Sequence, residues 1–416
     1  MNKHKAMPNI RFKGFEDEWK EKKFGSLFNH NSGTSIEKYF NSDGKYKVIS
    51  IGSYGKNSKY IDQGIRVDLN SVTKSHLVDK NDLTMVLNDK TSDGQIIGRV
   101  LLINKSNEYV INQRTERLIP RNINSKFAFI YLNGPIRKSI KKMVQGGTQI
   151  YVNYSSIEKI NAIVPKTMEE QRKIGDFFSK LDKLLDLQQQ KIDKLELLKK
   201  TLLQKLFPKH DAKIPELRFK GFNDEWKGMK IGSLFDHKSG TSIEKYFNSD
   251  GKYKVISIGS YGKNSKYIDQ GIRVNLNSVT KSHLVDKNDL TMVLNDKTSD
   301  GQIIGRVLLI NKSNEFVINQ RTERLIPRNI NSKFAFTYLN GPIRKSIKKM
   351  VQGGTQIYIN YSSIEKIDIL VPKTIEEEQK IGNFLFKVDQ LIELENKKLQ
   401  DFQQVKKCLL QNMFVE

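Results

Sequence analysis

Cysteine is almost missing: Cys408 is the only one in 416 residues, which excludes a disulfide framework and any thiolate-based zinc site. Long apolar runs are missing too. No stretch approaches the 18 or so residues of a membrane-crossing helix, and mean hydropathy is −0.54. The segment Met1–Pro8 has no apolar block of the secretory kind, so a cytoplasmic location is expected. Acid is the scarcer charge, with 46 Asp and Glu against 71 Lys and Arg, a net +25. A field of that sign points to a polyanionic partner, nucleic acid first and an anionic membrane surface a distant second. Apolar residues make up 37% of the chain, enough for ordinary cores, and the length suits two or three domains.

Catalytic machinery is also missing. Glu18-Trp19-Lys20 and Glu225-Trp226-Lys227 have the Glu-x-Lys spacing of many metal-dependent nucleases, but no Asp or Glu precedes Glu16 to complete a metal site. No Asn-Pro-Pro-Tyr-like loop exists to grip an extruded adenine, and no Gly-x-Gly follows a strand to hold a methyl donor. A Walker-type phosphate loop is absent as well. The His residues, among them His30/His237 and His76/His283, lack metal spacing and read as surface or internally bonded side chains.

What is present, above all, is a tandem duplication. Arg11-Phe12-Lys13-Gly14-Phe15 returns as Arg218-Phe219-Lys220-Gly221-Phe222, and the offset of 207 then holds without insertion to the end of the chain. Between Gly33 and Ile160 only four positions differ from the second copy: Asp68/Asn275, Tyr109/Phe316, Ile130/Thr337 and Val152/Ile359. From Lys173 to Phe207, and from Lys380 to Phe414, fewer than half the positions match, although the apolar register survives. Either the globular unit was copied recently or something keeps its copies alike.

The divergent segments predict long helices. Ile174, Leu181, Leu195 and Leu202 keep a seven-residue register, with Phe177, Leu184 and Leu198 three residues on and Phe178, Leu185, Ile192 and Leu206 four on. Ile381, Val388, Phe402 and Leu409 repeat it, with Phe384, Leu391 and Val405 beside them. Pro165 and Pro372 precede the helices and Pro208 ends the first. Stripes of this kind need partners, so the helices are expected to pair antiparallel as a spacer. Gln188, Lys191, Glu395 and Lys398 near their middles either set the register or are wet positions.

The fold class expected for the globular units is mixed α/β (α+β). Tyr46–Ile51, Leu83–Leu87, Ile96–Ile103 and Glu108–Ile111 read as strands separated by Gly-, Asn- and Asp-rich turns, and Phe127–Val144 reads as a helix.

Candidate DNA-binding residues lie in polar loops and come in pairs. Lys56, Asn57, Lys59 and Tyr60 return as Lys263, Asn264, Lys266 and Tyr267. Asn88, Lys90, Thr91 and Ser92 return as Asn295, Lys297, Thr298 and Ser299. Arg114 and Arg117 match Arg321 and Arg324. Gly147, Thr148, Gln149 and Tyr151 match Gly354, Thr355, Gln356 and Tyr358. Amides and guanidinium groups read base edges, whereas lysines mostly hold phosphates. The alternative for each is a solvated loop. Arg137, Lys138, Lys141 and Lys142 form a basic helical face suited to phosphate.

Further segments recur in order: Pro8–Phe15 leading to Trp19, and Ile214–Phe219 leading to Trp226; Val164-Pro165, Glu170–Ile174, Leu181-Asp182 and Lys199–Phe207; then Val371-Pro372, Glu378–Ile381, Val388-Asp389 and a degenerate Leu409–Phe414. Together they resemble the specificity subunit of type I restriction-modification systems. The resemblance spans essentially the whole chain. It implies a non-catalytic subunit whose two target-recognition domains each read half of a split double-stranded DNA site. It also implies that the helices act as a ruler and dock two methyltransferase subunits, joined in turn by restriction subunits. On that footing this chain binds no cofactor, and S-adenosylmethionine, ATP and Mg belong to the partner subunits. The implied division is 1–165 and 211–372 for the recognition domains, and 166–210 and 373–416 for the helices. Because the two domains are nearly identical, the expected target is an interrupted palindrome, with Asp68/Asn275 as the one difference able to matter. A free-standing DNA-binding regulator and an enzyme with an unfamiliar site are the alternatives.

Overall fold

The computed structural model describes residues 6–90, 93–209, 212–297 and 300–415. Two compact units result: one runs from the N-terminus to Gln189 and takes in the stretch from Lys398 onward, and the other spans Gln190–Lys397. Each unit therefore holds one globular repeat together with part of each long helix.

In the first unit an antiparallel four-stranded sheet has the order Phe28–Ser32, Thr115–Pro120, Leu83–Val86, Val100–Leu102. Leu83–Val86 is buried at every position, as its uninterrupted apolar run requires. A second sheet places Tyr46–Ile49 between Arg66–Val67 and Tyr109–Ile111, parallel to the latter. Lys20–Lys23 pairs with Asn161–Val164. A small sheet of Gln145–Gly146, Ile150–Tyr151 and Asn88–Asp89 forms at one edge. The second unit repeats these pairings at Phe235–Ser239, Thr322–Pro327, Leu290–Val293, Val307–Leu309 and their neighbours.

Two expected elements come out shorter or broken. The strand expected over 96–103 is confined to Val100–Leu102, because Gly98 turns the chain with φ +68°. The helix expected over 127–144 becomes Ser125–Asn133 and Pro135–Lys141, divided at Gly134-Pro135.

The long helices run over Met168–Lys205 and Ile375–Asn412, 38 residues each, or about 57 Å at 1.5 Å per residue. Within the first unit Asp182 pairs with Lys406. Within the second, Lys199 pairs with Asp389 and Lys191 with Glu395. Rising numbers in one helix meet falling numbers in the other, so the pairing in each unit is antiparallel. Glu395 is only 3% exposed at its side chain and bonds Lys191 at 2.9 Å, which makes this pair a register-setting contact rather than a wet position.

The helices are built into the globular cores. Gly175 sits against the start of the Ser125–Asn133 helix, where a β-carbon would lie 2.6 Å from the Phe127 nitrogen. Phe414, just past the second helix, packs among Trp19, Phe127, Tyr131 and Phe178. In the second unit Phe207 does the same against Trp226, Phe334 and Tyr338. Glu170, buried at the helix start, accepts two bonds from Arg11 at 2.7 and 2.8 Å and one from the Trp19 indole at 3.2 Å. Glu377 receives Arg218 and Trp226 in the same way. The Glu-Trp-Lys runs thus contribute a tryptophan to a structural clamp, while Glu18 and Lys20 remain exposed.

Candidate nucleic-acid interface

The expected site residues fall into three places. Around Tyr358 the second unit opens a cleft of about 470 Å³. Its walls come from strand Phe235–Ser239 (His237, Ser239), strand Thr322–Pro327 (Glu323), the turn at Arg321, strand Asn295–Asp296, and the segment Tyr358–Ser362. Backbone bonds draw these strands together: Leu294 N–H donates to the Arg321 carbonyl, and Ile359 N–H donates to the Leu294 carbonyl, each at 2.9 Å. In the first unit Leu87, Arg114 and Val152 make the same two bonds, at 3.0 and 2.9 Å. Asn88, Arg114 and Tyr151, far apart in sequence, thus belong to one surface.

At the cleft floor, Glu323 is fully buried and accepts from His237 Nδ1 at 2.8 Å and Ser239 Oγ at 2.7 Å. Glu116 receives His30 and Ser32 at 2.6 and 2.7 Å. The His30 ring lies 4.3 Å from the Tyr154 ring, and that of His237 lies 4.5 Å from Tyr361. Burial raises the Tyr154 and Tyr361 hydroxyl pKa values above the ordinary tyrosine value, and among the described residues neither hydroxyl has a hydrogen-bond partner. This histidine–glutamate pair was not foreseen as a pair: β-pairing brings together residues 86 positions apart, which no local motif signals.

Beside the cleft, the turn carrying Gly147, Thr148 and Gln149 connects two short strands and is exposed throughout, as are Tyr151 and Lys90. Gly354, Thr355, Gln356, Tyr358 and Lys297 are likewise exposed in the second unit. Thr91, Ser92, Thr298 and Ser299 lie outside the described residues.

The loop at Lys56–Tyr60 goes elsewhere. Lys59 pairs with Asp186 on the first long helix, and Lys266 pairs with Glu393 at 2.7 Å on the second. Asn57 and Lys59 line a separate cleft of about 490 Å³ against that helical wall. The Tyr60 ring packs edge-on against Tyr109 at 5.0 Å, as Tyr267 does against Phe316 at 4.8 Å. Lys56, Lys263 and Asn264 stay exposed at the tip. Lys59 and Lys266 thus reach from this loop to the long helices, while Tyr60 and Tyr267 pack within the globular unit.

Arg117 and Arg324 turn into the fold. Arg117 bonds Asp82 through Nε at 2.6 Å, Asp79 at 3.0 Å and the Leu77 carbonyl at 2.7 Å. Arg324 repeats this with Asp289, Asp286 and Leu284. Their donors are committed to the fold. Arg137, expected on a phosphate-binding face, turns inward to the carbonyls of Gly94, Gln95 and Ile97, and burial lowers its pKa to about 10; Lys141 and Lys142 remain exposed.

Asp68 is a loop brace. Its Oδ1 accepts from Lys45 N–H at 3.1 Å, and Asn275 Oδ1 accepts from Lys252 N–H at the same distance. The two residues share this backbone bond, while Asp68 also accepts from the Asn41 amide at 3.2 Å. Tyr109/Phe316 and Ile130/Thr337 also sit within the packing, and Val152/Ile359 adds one buried methylene behind the cleft. The polar side chains at the two clefts are therefore the same.

Among the described residues no group of three or more His, Cys, Asp or Glu is placed to hold a metal ion, and no helix is long and apolar enough to cross a membrane.

A family model described as the type I restriction modification DNA specificity domain matches residues 16–197 and again 223–404. The chain is 24% identical over 364 residues to the type I restriction enzyme MjaVIII specificity subunit of Methanocaldococcus jannaschii, covering 85% of this chain and 83% of that protein. Its fold is similar to the crystal structure of the type I restriction-modification S subunit from M. genitalium, with TM-score 0.67, 18% identity and 99% of each chain covered. A chain from a structure of type I R-M complex assembly and conformational transition is similar at TM-score 0.53 and 14% identity, over 95% of this chain and 97% of that one. With the specificity-domain model matched in both repeats, the chain belongs to the type I restriction-modification DNA specificity family and carries two tandem recognition domains.

Proposed function

We propose that this chain is the non-catalytic DNA reader of a type I restriction-modification complex, with each unit reading one half of an interrupted palindrome. The observation that carries this reading is the equivalence of the two clefts, whose polar side chains match one for one. Equal readers select equal half-sites, and two-fold-related readers place them on opposite strands. The exposed turns at Gly147–Gln149 and Gly354–Gln356 and the cleft rims supply base contacts, while Lys90, Lys297 and other exposed lysines hold phosphates. Tethering two half-site readers raises overall affinity through effective concentration, and the phosphate contacts make that affinity fall steeply with salt.

The helices serve as the ruler and as the docking surface for two methyltransferase subunits, through which restriction subunits join. Support comes from what helix pairing leaves uncovered. Leu184 and Leu187 on one helix and Phe402 and Val405 on the other stay 54%, 50%, 38% and 50% exposed. In the second unit Leu391 and Leu394 remain exposed beside Leu198. An apolar row repeated in both units fits two copies of one protein partner, and it argues against a free-standing regulator. In this reading S-adenosylmethionine, ATP and Mg act on the partner subunits, and the complex works in the cytoplasm.

A methylation map of DNA from cells expressing the chain with its methyltransferase tests this function. Methylated adenine on both strands of a split palindrome is expected. Methylation at an asymmetric split site would defeat the equivalence, and sequence-specific binding by the lone chain without methylation would favour the regulator.

A further inference from the structure

Arg114 and Arg321 stand in the left-handed backbone region, with φ 65° and 64°. An L-residue with a β-carbon is disfavoured there, and glycine or asparagine is the ordinary occupant. Such strain collects at functional sites. The turn is held rigidly. Thr115 Oγ donates to the Asn112 carbonyl at 2.5 Å, and Gly33 N–H donates to the Thr115 carbonyl at 2.9 Å. A β-carbon at Gly33 would lie 2.0 Å from that Asn112 oxygen, so the chain cannot relax sideways. The Arg114 carbonyl is itself held by Leu87 N–H at 3.0 Å. A side chain launched from so fixed a backbone arrives with its direction largely set.

Both arginines are exposed, and among the described residues neither has an ion-pair or hydrogen-bond partner for its guanidinium. Three residues on, Arg117 and Arg324 have every arm engaged. The cleft also discriminates between ligands. Glu323, bonded to His237 and Ser239, lies buried in its wall, so the full charge of a phosphate drawn into the cleft meets more opposition than the partial charges of a neutral base edge. The guanidinium fork matches the O6 and N7 acceptors of guanine, whereas a lysine would serve a phosphate equally well.

We propose that Arg114 and Arg321 each read a guanine at one fixed position of their half-site, held out for that contact by the left-handed turn. This assignment rests on the DNA-reading function proposed above and names the base class of its cleft.

The test is selection of binding sites from randomised DNA by the full-length chain with its methyltransferase, comparing the native protein with Arg114→Asn, Arg321→Asn and Arg114→Lys. Asparagine tolerates the left-handed turn, so folding is kept, and an unchanged melting temperature checks it. Arg114→Asn should lose its preference for guanine at one position of one half-site, roughly 5- to 150-fold, and leave the other positions intact. Arg321→Asn should do the same at the matching position of the other half-site. Arg114→Lys should keep affinity but lose that preference, and it answers the question should the asparagine variant unfold. Uniform weakening across all sequences would make these residues phosphate contacts and overturn the proposal; unchanged selection would remove them from the DNA altogether. A native protein with no sequence preference would sink the DNA-reading function itself, and this assignment with it.

Discussion

The two clefts and the two long helices differ in how far their copies have drifted apart. Around the clefts the polar side chains are identical, down to the pairing of His30 with Glu116 and His237 with Glu323. Along the helices identity is mostly gone and the apolar register remains. A helix seam asks only for an apolar residue of suitable size at each position, whereas reading a base edge needs a particular donor at a particular place. The divergence therefore separates the clefts, where base reading is proposed, from helices that keep only their apolar register.

Where the two units make the same contact, the same substitution should have the same effect. The largest is expected at the buried clamp. Arg11→Ala strands Glu170 without its guanidinium, and Arg218→Ala does the same to Glu377. Each should destabilise its own unit by about 3–5 kcal/mol, read as loss of one of two unfolding transitions in urea. Equal losses would support structural equivalence, and a loss below about 1 kcal/mol in one unit would break it.

A smaller effect is expected where the repeats differ. Gln171 accepts from Asn124 N–H at 2.8 Å and donates to the Pro165 carbonyl at 3.2 Å. Glu378 accepts from Asn331 N–H at 2.7 Å but has no amide donor, and burial raises its pKa to about 7. The folded state thus holds this proton more tightly than the unfolded chain does. The stability it contributes is full below the ordinary glutamate value, falls as pH rises towards 7, and stays lost above it. Glu378→Gln should raise the stability of the second unit at pH 8, by up to roughly 3 kcal/mol, with little change at pH 4. Gln171→Glu should transfer that pH dependence to the first unit, as melting curves at the two pH values would reveal. A flat difference between pH 4 and pH 8 would refute the mechanism.

The smallest effect is expected at Asp68→Asn. It installs the residue of the second repeat and keeps the Lys45 backbone bond, so stability should move by less than about 0.5 kcal/mol with no change in the selected DNA. A changed half-site would restore Asp68/Asn275 as a specificity difference.

Much of this architecture was legible in the sequence. The repeat, the helices and their apolar register follow from spacing alone, and Leu83–Val86 follows from an unbroken apolar run. Strands Phe28–Ser32 and Lys20–Lys23 were not legible, because the first is exposed beyond Phe28 and the second is nearly all charged. Their pairing comes from partners 80 or more residues away. At the candidate site, residue type placed Asn88, Arg114 and Tyr151 among the polar loops that the structure gathers at one cleft. Type alone could not separate Arg114 from Arg117: one stands on a strained turn with open donors, and the other meets two aspartates supplied from a distant segment. Nor could type alone show that Lys59 and Lys266 meet acidic partners on the long helices.

The most direct test of the account is the symmetry of the DNA chosen by the native full-length chain with its methyltransferase, from a pool randomised in both sequence and spacing. Inverted repeats of one half-site at a single fixed gap are expected. Two unrelated half-sites, or the same half-site recovered as a direct repeat, would contradict it.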